Sequence, residues 1–103
     1  MHDTNAAFWE IAGPLIATGK ADRGTVMRME CLRVNGNFAA GISSNGELIL
    51  KLDGDRVGEM VKAGTGRPFA PAGRTFKEWV SVPAFDRDGW ERLIHESCAF
   101  AGR

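Results

Sequence analysis

Two Asn-Gly pairs, Asn35-Gly36 and Asn45-Gly46, stand ten residues apart between runs of alternating apolar residues. Asn-Gly is the strongest short-range signal for a two-residue β-hairpin, because a type I′ turn needs φ > 0 at both central residues. Asparagine tolerates that conformation and glycine has no penalty in it. Two such turns in series predict a three-stranded antiparallel meander over residues 25–52, which the rest of the chain must cover. The first strand is expected over 25–34. It puts Val26, Arg28, Glu30, Leu32 and Val34 on one face and Met27, Met29, Cys31 and Arg33 on the other. Its apolar residues change face near Cys31 and Leu32, which predicts a bulge or twist there. The second strand, 38–43, groups Phe38, Ala40 and Ile42 and leaves the small Ala39 and Gly41 opposite. The third sets Leu48, Leu50 and Leu52 against Glu47, Ile49 and Lys51, the alternation of a half-buried strand.

Helical signals flank the meander. Asp3 or Thr4 can cap a first helix, whose stripe is Phe8, Ile11, Ala12, Leu15 and Ile16. Pro14 predicts a kink or break, because it removes a hydrogen bond and clashes with the carbonyl of Glu10. Gly19 suits the helix end, and residues 20–24 read as a polar loop. Asp53 can cap a short second helix carrying Val57, Met60 and Val61, which Gly64 stops. Pro68 and Pro71 confine residues 65–73 to an edge strand or an extended loop. Residues 74–82 alternate as a strand closed by Pro83. A last helix starts at Asp86, with Phe85 and Trp90 placed as a hydrophobic staple. Its buried face is Trp90, Leu93, Ile94, Ser97 and Ala101. The order α-β(3)-α-β(2)-α predicts an α+β fold, an antiparallel sheet with helices packed mainly on one face.

A chain of 103 residues is one domain, 1–103. That size buries roughly 65% of the unfolded surface, enough for a core without staples. Basic and acidic residues number 13 each, so no strong electrostatic footprint for nucleic acid or anionic lipid is expected. No apolar run has the length to span a bilayer. The first residues lack the basic region and apolar block of a signal peptide, so the expected location is the cytoplasm. Cys31 and Cys98 are expected to be free, buried thiols.

Several strings resemble one family, the small bacterial proteins with a TfoX N-terminal domain and the related YjbR/MmcQ proteins. Residues Met29-Glu30-Cys31-Leu32-Arg33-Val34-Asn35-Gly36-Asn37-Phe38-Ala39-Ala40 look like that family's first hairpin. Leu48-Ile49-Leu50-Lys51-Leu52 matches its third strand. Gly66-Arg67-Pro68-Phe69, followed by Lys77-Glu78-Trp79-Val80-Ser81-Val82-Pro83, is similar to its last hairpin. The final helix with Trp90 fits too, so the resemblance covers nearly the whole chain. This sequence departs from the pattern at Met27-Arg28-Met29-Glu30, where the family places an aromatic and small or proline residues. The family includes proteins described as competence regulators or as DNA-binding. The resemblance therefore implies a regulatory role, with no established chemistry, cofactor or catalytic residue.

Candidate sites are few. His95 and Cys98 lie three apart on the last helix, and Cys31 or His2 would have to complete a metal site, because zinc needs three or four ligands. The same pair with Glu91 would make a nucleophile, base and orienting group, although Glu91 and His95 equally suit an ordinary i,i+4 surface pair. The segment Gly64-Thr65-Gly66-Arg67 with Gly73-Arg74 offers backbone N–H groups and guanidiniums to an anion. It lacks the spacing of a phosphate loop, and a helix stop before an edge hairpin explains it as well. Arg67, Arg74 and Lys77, with Arg28, Arg33, Lys20 and Arg23, could form a weak basic face for DNA or another anion if the fold gathers them. Trp79 and Phe69 are the candidates for an interface. Trp9 could line a pocket or an interface as well, and partial burial under a helix or a loop is the alternative for Trp9, Trp79 and Trp90. We expect no catalytic, cofactor or metal residues and no enzyme. The expectation is a small accessory or regulatory binding module whose partner is a protein or a second copy of itself. Weak DNA binding through the basic loops is the alternative, and a small anion or ligand bound at the Gly/Arg loop is the second.

Overall fold

The computed structural model describes residues 3–103. His2, weighed above as a metal ligand, lies outside the described residues. Among the described residues the chain forms three α-helices and one six-stranded antiparallel sheet, and the helices pack against the sheet. Helix α1 is Thr4–Ala17, α2 is Gly54–Ala63 and α3 is Arg87–Ala101. The strands are β1 Asp22–Val26, β2 Met29–Val34, β3 Asn37–Ile42, β4 Leu48–Lys51, β5 Arg67–Pro68 and β6 Trp79–Val82. Their order across the sheet is β1-β2-β3-β4-β6-β5.

The local signals act where the residues put them. Asp3 accepts from the Ala6 N–H and caps α1. Asp53 and Asp86 cap α2 and α3 in the same way, each satisfying an N–H that the helix itself cannot. Gly64 ends α2 in the left-handed conformation. Phe85 packs edge-on to Trp90, ring centroids 5.0 Å apart, closing the staple. Helix α1 runs through Pro14 without a break. Pro14 lies on the exposed side, where water can serve the carbonyl that the missing N–H leaves free.

Five expectations need correction. Residues 20–24 are not simply a loop, and residues 25–34 are not one strand. Asp22–Val26 is a strand paired to Met29–Val34, with Val26 opposite Met29. The turn between them is Met27-Arg28, both at positive φ (48° and 65°), the type I′ geometry expected only of Asn-Gly. Asn35-Gly36 makes that turn as predicted, at φ 53° and 81°. At Asn45-Gly46 only the glycine is left-handed. Gly46 N–H bonds the Ser43 carbonyl at 3.0 Å and Ser43 N–H the Glu47 carbonyl at 2.9 Å, a three-residue loop with a bulge. The pairing shifts between Leu32 and Arg33 because Ala39 is an extra residue in β3. That bulge sends Phe38 to the face opposite Ala40 and Ile42, while Ala39 joins Ala40 in the helix-side core. Finally, strand structure begins only at Trp79, not at Arg74.

The result is a sheet with two unlike faces. Leu32, Ala40, Leu48, Leu50 and Val80 are fully buried beneath Phe8 and Ile11 of α1, Met60 of α2, and Trp90 and Ile94 of α3. On the second face Cys31, Phe38 and Ile49 form a separate cluster with Val26, Met29, Phe69 and Trp79, none of them helical. Cys98 belongs to the helix side and Cys31 to the other, both free and buried.

Candidate functional site

The second face is covered over only part of its area. Between β5 and β6 the chain crosses it as an irregular segment, residues 69–78, interrupted by one short 3-10 turn, Pro71–Gly73. Trp79 stacks on Phe38 at 4.1 Å and 10° and on Phe69 at 5.3 Å and 23°. Phe76 meets Trp79 edge-on at 5.4 Å. The segment is tied down by Phe76 N–H to the Phe69 carbonyl and Leu52 N–H to the Glu78 carbonyl. Trp79 thus lies beneath the loop that precedes it, with its neighbouring aromatics filling the far half of this face.

The other half is open. A broad groove of about 1050 Å³ lies where the β1–β2 turn, the β3–β4 loop, the start of α1 and the Phe69–Pro71 stretch meet. Its apolar walls are Met27, Met29, Ile42, Phe69 and Pro71, and Asp3, Arg28 and Glu30 add charge. Met27, 50% exposed, is the one large apolar side chain left that open among the described residues. A smaller hollow of about 250 Å³ adjoins it, sharing Ser43, Asn45, Phe69 and Pro71. There Glu47, whose side chain is only 20% exposed, accepts from Ser81 Oγ, Asn45 Nδ2 and Arg67 Nη2. This carboxylate ties β4's start to β5 and β6, and both of its oxygens are engaged within the fold.

The predicted basic residues do not gather. Arg28 stands at the groove's rim with no hydrogen bond or ion pair among the described residues. Arg33 reaches over Gly24, where a Cβ would lie 2.8 Å from its Cδ, and donates to the Thr25 carbonyl at 2.6 Å. Because a two-residue turn makes Val26 and Met29 a hydrogen-bonded pair, Thr25 turns its backbone groups outward to the free edge of β1. Arg33 therefore occupies that edge. Arg67 is on β5 at the opposite edge, paired with Glu47 at 3.2 Å. Four places in the strand order separate β2 from β5, about 19 Å at about 4.8 Å per strand. Arg74 and Lys77 are exposed on the crossing segment. Lys77 lies beside Phe76, Trp79 and the α2 residues Asp55 and Lys62. At the Gly/Arg loop the N–H groups of Gly64, Thr65 and Gly66 all bond the Met60 or Val61 carbonyl, so they close α2 and do not point at a ligand.

The metal and nucleophile alternatives are likewise placed. His95 is exposed on α3, Cys98 is buried against the helix side, and the sheet separates both from Cys31. Among the described residues no three His, Cys, Asp or Glu side chains stand close enough to share a metal. Glu91 makes no hydrogen bond to His95 among the described residues. Burial pushes the Cys98 thiol above its ordinary value, and it does the same to Cys31, where the neighbouring Arg33 partly offsets it. Neither thiol is activated. Trp90 is 1% exposed and donates to the Ala84 carbonyl at 2.9 Å. Trp9 lies under the Arg23 guanidinium, 4.0 Å from its ring centroid. That arginine also pairs with Glu30, so it fastens α1 to the first hairpin. Sequence pattern alone does not single out Met27, Phe76 or the Glu47–Ser81 contact. The available signal was the change of apolar face in 25–34, which two strands explain better than one.

No protein-family model matches the chain, and neither a curated protein nor a solved structure matches it. No helix of the described residues is long and apolar enough to cross a membrane.

Proposed function

We propose that the chain is a small non-enzymatic binding module that seats a protein partner in the groove beside Met27. The observation that carries this reading is the unequal cover of the sheet: one face is sealed by helices, while the other has an open apolar groove with a half-exposed methionine at its rim. Exposed apolar surface rimmed by polar groups marks interaction sites, and methionine suits adaptable contacts. A protein partner fits better than nucleic acid. Arg33 and Arg67 are engaged within the fold, the formal net charge is zero, and the aromatic faces near Trp79 are stacked on one another. The resemblance to proteins with a TfoX N-terminal domain supports a regulatory role in a bacterial cytoplasm. Affinity capture from the source organism, read by mass spectrometry, tests the reading with the wild-type chain and Met27→Glu side by side. A protein held by the wild type and lost by the variant is expected. Identical eluates would overturn it.

A further inference from the structure

Two turns of the same backbone type stand at opposite ends of β2. Asn35-Gly36 uses the residues that such a turn favours. Met27-Arg28 uses two that it disfavours, because an L side chain in the left-handed region crowds its own carbonyl. Strain of this kind persists where the rest of the structure holds it, and it collects at functional positions. Here the strained pair supplies the groove with its most exposed apolar side chain and with a cation that has no partner among the described residues.

Resting on the reading of the groove as a binding site, we propose that its occupant is a second copy of this chain. Met27 of each copy enters the groove of the other across a two-fold axis. A two-fold contact sets one surface patch against itself, so the patch must carry both the knob and the hollow, and both signs of charge. This one does. Met27 is the knob, and Met29, Phe69 and Pro71 are walls of the hollow. Arg28 is the free cation, and Asp3 lines the same groove with only its Oδ1 engaged, by the Ala6 N–H. Arg28 of each copy therefore meets Asp3 of the other. Association through strand edges is hindered at both ends of the sheet. Arg33 holds the outward carbonyl of Thr25 on β1, and β5 is two residues long with Pro68 as one of them, which has no N–H to offer. The face remains. With no net charge on the chain, little long-range repulsion keeps copies apart.

Sedimentation equilibrium over a wide concentration range tests this. The wild type is expected to approach twice 11.2 kDa. Met27→Glu and Arg28→Glu should each raise the dissociation constant by about tenfold or more, since each buries an unpaired charge or sets like charges together. Adding Asp3→Arg to Arg28→Glu should recover association, and Met27→Leu should retain it. Circular dichroism on each variant checks that the fold is kept. A single 11.2 kDa species for the wild type overturns the second copy as occupant. If a different protein is nonetheless captured through Met27, the groove stays a binding site and only its occupant changes. A dimer that persists in both Met27→Glu and Arg28→Glu also overturns the proposal, because the contact then lies elsewhere.

Discussion

On one face of the sheet Leu48, Leu50 and Val80 lie under helices; on the other, Ile49 and Cys31 cluster with Phe38 and Trp79 of the strands and with Phe69 of an irregular segment. The two covers are built differently. A helix satisfies its own backbone and presents a continuous apolar stripe, so every turn adds burial without exposing N–H or C=O groups. The segment 69–78 has few repeating hydrogen bonds and holds its place through Phe69, Phe76 and Trp79. Irregular cover of this sort belongs to the low-stability end of a fold, where binding surfaces are drawn from. One face is therefore built to stay shut, and the other leaves room for a partner.

The largest expected effect tests the helix side. Trp90→Ala should cost about 3–5 kcal/mol, the range for removing a fully buried large aromatic, and urea unfolding measures it. Trp79→Ala, on a residue that is only partly buried, should cost about 2 kcal/mol and leave the helix content intact. Equal costs at the two sites would break the contrast between the faces. The smallest effect is in pH. Both thiols are held above their ordinary value of 9.0 by burial. Above that pH the unfolded chain loses the thiol protons before the folded one, so it binds fewer protons and stability falls as pH rises. Arg33 offsets part of the shift at Cys31, and nothing offsets it at Cys98. Cys98→Ala and Cys31→Ala should each flatten the alkaline decline, and a decline unchanged in both would mean that burial holds neither thiol up.

Much of the fold was legible because short signals with one meaning carry it. Asn35-Gly36, the alternation of Leu48, Leu50 and Leu52, Asp53 with Gly64, and Asp86 with the Phe85–Trp90 staple each specify one local geometry. What stayed hidden depended on tertiary context. Nothing in Met-Arg announces a type I′ turn, so from residue pattern alone β1 looks like polar loop and the first two strands like one. The bulge at Ala39 moves Phe38 across the sheet, and period-two reasoning cannot follow an inserted residue. Residues 74–78 alternate like a strand, but Phe76 is needed on Trp79 and the backbone leaves the ladder to deliver it. Of the candidate site, Phe69 and Arg28 were named from the sequence. The groove itself, and Met27's place on it, exist only once the hairpin, loop and helix start are brought together.

The strand order also sets a schedule. The first four strands are joined by short loops, so their pairing costs little loop-closure entropy and can begin as soon as residues 22–51 have been synthesised. The central β4, however, gains its second neighbour only when β6 arrives, with Leu48 opposite Val82. Trp90 and Ile94, which seal the helix face, come later still. Until then a growing chain carries a formed meander whose row of Leu32, Ala40, Leu48 and Leu50 has only α1 and the short α2 to shelter it. The last fifteen residues of secondary structure, Arg87–Ala101, decide whether that meander becomes a folded protein or a sticky nascent chain.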